Sequence, residues 1–170
     1  MKSTKTLTLS ALLTAMGILL PMIMPIKLII GPASFTLASH VPVFIAMFLS
    51  PTIAIATALG STLGFFLAGF PIIIVFRALS HVLFAGIGAY WLQKKPVLLA
   101  NHATKWRLSL VLNSIHAIAE CLVVLVFAFL PASNMTMPLT SIFLLVGVGT
   151  LIHGAVDFEI ASWIYKTIKK

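Results

Sequence analysis

Charge is what this chain has least of: only 8% of its residues are Asp, Glu, Lys or Arg, and just three are acidic. A soluble domain carries roughly a quarter charged residues, so a soluble fold could not cover its surface with polar groups here. Cysteine is almost missing as well. The one cysteine, Cys121, sits inside an apolar run, which excludes an intramolecular disulfide and a cysteine-based metal centre. No HExxH, no Cys/His cluster and no serine–histidine nucleophile signature occurs in the sequence, so no catalytic residue, cofactor or dedicated metal site is expected. No GxxxxGK phosphate loop occurs either. Any ATP-driven process therefore needs a partner that supplies the ATPase.

Hydrophobic residues fill the gap, at 61% of the chain. Lipid has to be the solvent for most of the perimeter. A spanning helix takes about 20 residues, so 170 residues admit six spans with short connections and no separate soluble domain. The expected fold is an all-α integral membrane protein: a compact bundle of six transmembrane helices, one domain over residues 1–170. Met1-Lys2-Ser3-Thr4-Lys5 before an apolar run imitates a signal peptide. No small-x-small cleavage site follows it, and the run continues to about Met24, so it is predicted to be the first span.

That span is predicted over Leu7 to Met24, followed by a structured loop from Pro25 to Ser39. The loop is too polar and broken, with Lys27, Gly31, Pro32, Ser34 and Thr36, for lipid-facing helix. Span two is short, His40 to Leu49. It ends at Ser50-Pro51 because the residue before proline is pushed out of the helical region. Span three, Thr52 to Phe70, is rich in small residues, which let backbones approach closely in lipid. Gly69-Phe70-Pro71 turns the chain into span four, to about Leu92. Gln93 to Arg107 is a polar loop, Leu108 to Leu130 span five, Pro131 to Pro138 a neutral loop, and Leu139 to Tyr165 span six.

The net charge of +8 gathers at Lys2 and Lys5, at Lys94, Lys95, Lys105 and Arg107, and at Lys166, Lys169 and Lys170. These places flank apolar runs and form no basic stripe with interleaved aromatics, so nucleic acid is not an expected partner. Six spans put all three clusters on one side, with Lys27 alone opposite. The positive-inside rule makes that side the cytoplasm and gives a multi-pass cell-membrane protein with both termini cytoplasmic. Tyr90, Trp91, Trp106, Trp163 and Tyr165 fall at the same interface, as aromatic anchors do.

Charged groups inside a bilayer are costly and face an interior partner or a cavity. Three pairs are spaced i, i+4 and so share a helix face: Arg77 with His81, His116 with Glu120, and His153 with Asp157. One reading sets Arg77, His81, His116 and Glu120 around a polar cavity that opens outward. Another makes Arg77–Glu120 an internal salt bridge that fixes the packing of spans four and five. The two are compatible. Asp157 and Glu159 lie nearer the cytoplasmic end and are expected to be solvated or paired with the basic loop. His40 opens span two, where it caps the helix or lines the cavity. His116 with Glu120 supplies only part of a metal site.

Length, six spans, cytoplasmic termini and a structured first outer loop together resemble the substrate-binding (S) component of an energy-coupling factor (ECF) vitamin transporter. The resemblance covers essentially the whole chain. The A-x-x-x-A of that family's first span is matched by Ala11-Leu12-Leu13-Thr14-Ala15. It implies a face, Ala11 and Ala15, that docks on the transmembrane T component, a small-xxx-small surface permitting close helix contact; ordinary packing within the bundle is the alternative. The resemblance further implies two ATPase subunits as partners. A water-soluble vitamin would be bound near the outer face, between the first and third outer loops and spans four to six, with the chain toppling in the bilayer during turnover.

Gly31 to Pro42 (GPASFTLASHVP), with Gly69-Phe70-Pro71 and Arg77-Ala78-Leu79-Ser80-His81, looks most like the niacin branch. The substrate-binding set expected on that resemblance is Arg77, His81, His116, Glu120, Phe35 and His40. Arg77 is the only arginine inside a span; a planar guanidinium grips a carboxylate with two hydrogen bonds, and Phe35 would stack on the ring. Pantothenate, another carboxylate, fits the arginine equally well, and pyridoxine is a further candidate. Two other classes stay open: a small membrane-embedded enzyme using His116 and Glu120 as acid and base, and a purely structural subunit of a membrane complex.

Overall fold

Six helices and one small hairpin account for the described residues, 4–130 and 137–168, in this computed structural model. Lys2, Lys169 and Lys170, and residues 131–136 of the expected neutral loop, lie outside the described residues. The helices are α1 (Thr4–Ile23), α2 (Val41–Leu49), α3 (Pro51–Leu67), α4 (Ile72–Lys94), α5 (His102–Ala128) and α6 (Leu139–Ile168). The hairpin pairs β1 (Lys27–Ile30) with β2 (Ala33–Thr36), antiparallel, Lys27 opposite Thr36. Helices α1, α4, α5 and α6 are long and apolar enough to cross a membrane.

Helices α2 and α3 are shorter. The 17 residues of α3 reach about 25 Å at the helical rise, close to the bilayer's hydrocarbon thickness. The nine residues of α2 reach only about 14 Å, less than half of that thickness. The hairpin and the turn after it supply the missing depth. The carbonyl of Pro32, between the strands, accepts from Arg77 near the start of α4, and the backbone of His40 reaches Asp157 far along α6. The end of α2 meets the end of α6, where the rings of Phe48 and Tyr165 lie 5.2 Å apart.

Irregular backbone at membrane depth is tolerated only where protein buries it or it lines a cavity. Here β2 is the buried strand, with Ala33 and Thr36 enclosed, whereas all four residues of β1 are exposed. Gly31 takes a left-handed φ of 56°, as the first position of a tight two-residue hairpin loop often demands.

Local chemistry explains the ends of the elements. Ser50 closes α2 and caps α3, its hydroxyl accepting from the Ile53 backbone. Asn101 caps α5 by accepting from the Thr104 backbone at 2.8 Å, a strong N-cap. Because of that cap, α5 begins at His102, and the polar loop expected over Gln93 to Arg107 shrinks to a short stretch around a 3-10 turn at Pro96–Leu99. Lys105 and Arg107 are helical, and Lys105 is buried against Glu159 at 2.5 Å. Glu159 thus pairs with the basic segment as expected. Asp157 does not; it is fully buried.

Small residues join α1 to α3. A methyl group added to Gly64 would run into the carbonyl of Ile18, and one added to Gly60 would meet the Thr14 carbonyl at 3.0 Å. The other face of α1 presents Ala11 and Ala15, both exposed. In α6, the stretch Phe143–Val148 is wound as a π-helix, a variant that recurs beside functional sites.

Candidate functional site

Helices α4, α5 and α6 and the segment from β2 to His40 converge on a buried polar cluster. The i, i+4 spacing puts Arg77 and His81 on one face of α4, and His116 and Glu120 on one face of α5. All four are enclosed. Glu120 is the hub. Its Oε2 accepts from Arg77 Nη2 at 2.7 Å and from the Thr150 hydroxyl of α6, and its Oε1 accepts from His81 Nε2 at 3.3 Å. His116 Nε2 stands 3.4 Å from the same Oε1. The remaining reach of Arg77 goes to the Pro32 carbonyl, 2.5 Å from Nη1, which leaves Nε buried without a hydrogen-bond partner among the described residues.

Asp157 is the second hub. Its Oδ2 accepts from the His40 backbone and from His40 Nδ1, both at 3.0 Å, and lies 3.6 Å from His153 Nε2. His40 sits at the N-cap position of α2 without using its side chain to cap the helix. The turn that aims it there contains Ala38 at a φ of 61°, a conformation costing a non-glycine residue about 1–3 kcal/mol. Such strain persists where surrounding contacts over-determine it, as the two hydrogen bonds from His40 to Asp157 do here.

Beside the two hubs lies one narrow cavity of about 10 Å³, whose lining includes Ser34, Ser39, His40, Phe65, Arg77, His81, Glu120, Thr150 and His153 but not Asp157 itself. Four of the expected site residues, Arg77, His81, Glu120 and His40, therefore line a single space. His116 is packed behind them and does not line it. Phe35 lines a neighbouring groove, with its ring edge-on to His153 at 5.8 Å. The lining of the cavity includes the phenyl ring of Phe65 from α3 beside the imidazoles of His40, His81 and His153. The internal salt bridge between Arg77 and Glu120 occurs; the space beside it is narrow and, unlike the expected cavity, is not lined by His116.

Sequence reasoning did not include Thr150, His153, Ser34, Ser39 or Phe65 in the site. His153 carried a signal, its i+4 spacing from Asp157. Thr150 carried one only in its neighbour: Phe35 packs so tightly on Gly149 that an added methyl would lie 2.6 Å from its ring, which fixes how this turn of α6 faces the cluster.

Among the described residues, two groups could hold a metal ion: His40 with His81 and His116, and His40 with His153 and Asp157, the ligand atoms of each group lying within 4.8 Å of one another. The expectation of no metal site rested on missing local motifs. The fold assembles these donors from elements far apart in the chain.

Over residues 1–170 the chain matches the family described as ECF-type riboflavin transporter, S component. It is 42% identical to the niacin transporter NiaX of Lactococcus lactis subsp. cremoris (strain MG1363), over 98% of this chain and 75% of that protein. No solved structure matches it.

Proposed function

This chain belongs to the S component family of ECF-type transporters, a membrane transport subunit rather than an enzyme, and from that premise we propose that it captures niacin, as nicotinate, at the outer face. The observation that carries the reading is Arg77. Its guanidinium lines the cavity with Nε unpartnered and is flanked by the Glu120 hub. A planar guanidinium suits a planar carboxylate. At about 10 Å³ the cavity is far smaller than a ligand pocket, so a bound carboxylate takes its place by replacing an internal bond of the cluster and parting the groups around it. A single pyridine ring asks for less opening of the cluster than the three fused rings of riboflavin, for which the family is named. The likeness to a niacin transporter points the same way.

The substrate-binding set is Arg77, His81, Glu120 and His40 at the cavity, with His116 supporting Glu120 and Phe35 closing the side toward the hairpin. Ala11 and Ala15 are the docking face for the T component, which works with two ATPase subunits. Their exposure favours docking over packing within the bundle. Residues 1–170 act as one membrane domain with both ends in the cytoplasm.

Ligand that binds only the folded state raises the melting temperature. Nicotinate added to the purified full chain should raise it in a saturable way, and riboflavin should not. A shift with riboflavin and none with nicotinate would overturn the substrate. For orientation, Leu28 and Val97 are both exposed. In a Cys121→Ala background, Leu28→Cys should react with a membrane-impermeant thiol reagent on intact cells and Val97→Cys should not; the reverse would invert the topology.

A further inference from the structure

We propose that His40, His81 and His116 form a binding site for a divalent transition metal of the zinc class, its fourth position turned toward the cavity. The three imidazoles come from the start of α2, from α4 and from α5, and their ring centroids form a nearly equilateral triangle with sides of 4.7, 4.7 and 4.8 Å. One nitrogen from each lies within 4.8 Å of the other two, and all three residues are buried. Metal–nitrogen bonds of ~2.0–2.1 Å need those nitrogens about 3.4 Å apart, so modest ring rotations close the site.

Carboxylates stand beside all three rings and hydrogen-bond two of them, those of His40 and His81. Histidine ligands typically donate their other N–H to a carboxylate, which fixes tautomer and orientation. His40 Nδ1 meets Asp157 at 3.0 Å, His81 Nε2 meets Glu120 at 3.3 Å, and His116 Nε2 lies 3.4 Å from that same carboxylate. With its Nε2–H committed to Glu120, His81 has a lone pair on Nδ1. That atom and both ring nitrogens of His116 are buried without a hydrogen-bond partner among the described residues. One proton can be shared by only two nitrogens, whereas a cation serves three.

Charge argues the same way. Arg77 offsets Glu120, while the groups facing Asp157 are the imidazoles of His40 and His153. An uncompensated carboxylate at membrane depth is expensive, and a divalent ion on the far side of the His40 ring would offset it. Three histidines plus one open position is the ligand count of zinc sites that keep a water in the fourth place. Because His40 and His81 line the cavity and His116 does not, the open position faces the cavity, where a water molecule fills it.

The proposal rests on the imidazole geometry and not on the niacin reading. The test uses the tag-free full chain in nanodiscs, titrated with Co²⁺ as a spectroscopic probe, with nicotinate binding measured in parallel. The expected result is one Co²⁺ per chain with the intense visible bands of a tetrahedral nitrogen site. Binding should fall at least 100-fold in His81→Gln and in His116→Gln, and stay unchanged in His102→Gln, whose ring is exposed on the first turn of α5. Asp157→Asn, which alters only the group behind His40, should weaken binding about 10–100-fold. Should the histidine variants fold poorly, X-ray absorption on the zinc-loaded wild type decides: three imidazole nitrogens support the site, and a shell without them overturns it. No Co²⁺ binding, or binding indifferent to His81 and His116, would also overturn it. Metal binding without nicotinate binding would uphold this site and sink the niacin reading; nicotinate binding without metal binding would do the opposite.

Discussion

The bundle is joined along two seams that work by opposite means. Between α1 and α3 the contact is backbone on side chain and backbone on backbone, made possible by Gly17, Gly60 and Gly64. Where α4, α5, α6 and the hairpin meet, the contact is made by Arg77, Glu120, Thr150, Asp157 and four histidines. Lipid offers no hydrophobic gain for helix association, so the first seam relies on close van der Waals packing. The second seam is held by hydrogen bonds whose donors and acceptors can be re-shared. A close-packed seam gives a rigid platform for a partner; a polar seam gives a place where an arriving ligand can replace an internal bond.

The largest effect should come from breaking the polar seam. Arg77→Ala leaves Glu120 buried without its cation, which costs about 3–5 kcal/mol of stability, and should lower nicotinate affinity by at least 100-fold. Nicotinamide should bind the wild type more weakly than nicotinate but lose less on the mutation, since the two changes delete one interaction. Such a protein-and-ligand cycle should show a coupling of about 1–3 kcal/mol. Additive losses would make Arg77 only the partner of Glu120 and leave the carboxylate reading without support.

The packed seam should respond differently. Gly64→Ala forces its methyl onto the Ile18 backbone, and overpacking of this kind costs about 1–3 kcal/mol. The melting temperature should fall while nicotinate affinity of the folded protein stays within a few-fold. If affinity fell as far as in Arg77→Ala, the two seams would not be separable. The smallest effect on binding should come from Ala15→Leu. It adds bulk to an exposed face, so affinity should hold within about twofold while uptake in cells with the complete transporter is lost. Uptake at the wild-type rate would remove this face from the docking surface.

Much of the fold is legible in the amino-acid sequence, because run length and hydropathy are local properties. The apolar runs are helices, Ser50-Pro51 is the break between α2 and α3, and the cost of charge in lipid puts Arg77 and Glu120 on inward faces. The start of α5 differs: it lies at His102 rather than Leu108, since the Asn101 cap outweighs the polarity of the segment behind it. Asp157 is expected near solvent because its helix approaches an interface there. What buries it is His40, 117 residues away along the chain, and nothing in its own helix announces that partner.

Composition and the spacing of residues within single segments thus set the solvent, the number of helices and the list of polar groups that must find partners. Who those partners are is settled by the packed bundle. Glu120 draws Arg77, His81 and Thr150 from two other helices, and His40 is brought among His81, His116 and His153 by a hairpin descending into the bundle. An i, i+4 spacing fixes a helix face but not the neighbour it turns toward. That choice is made by close packing elsewhere: glycines that admit α1 against α3, and Gly149 and Gly154 that admit Phe35 and Asn113 against α6.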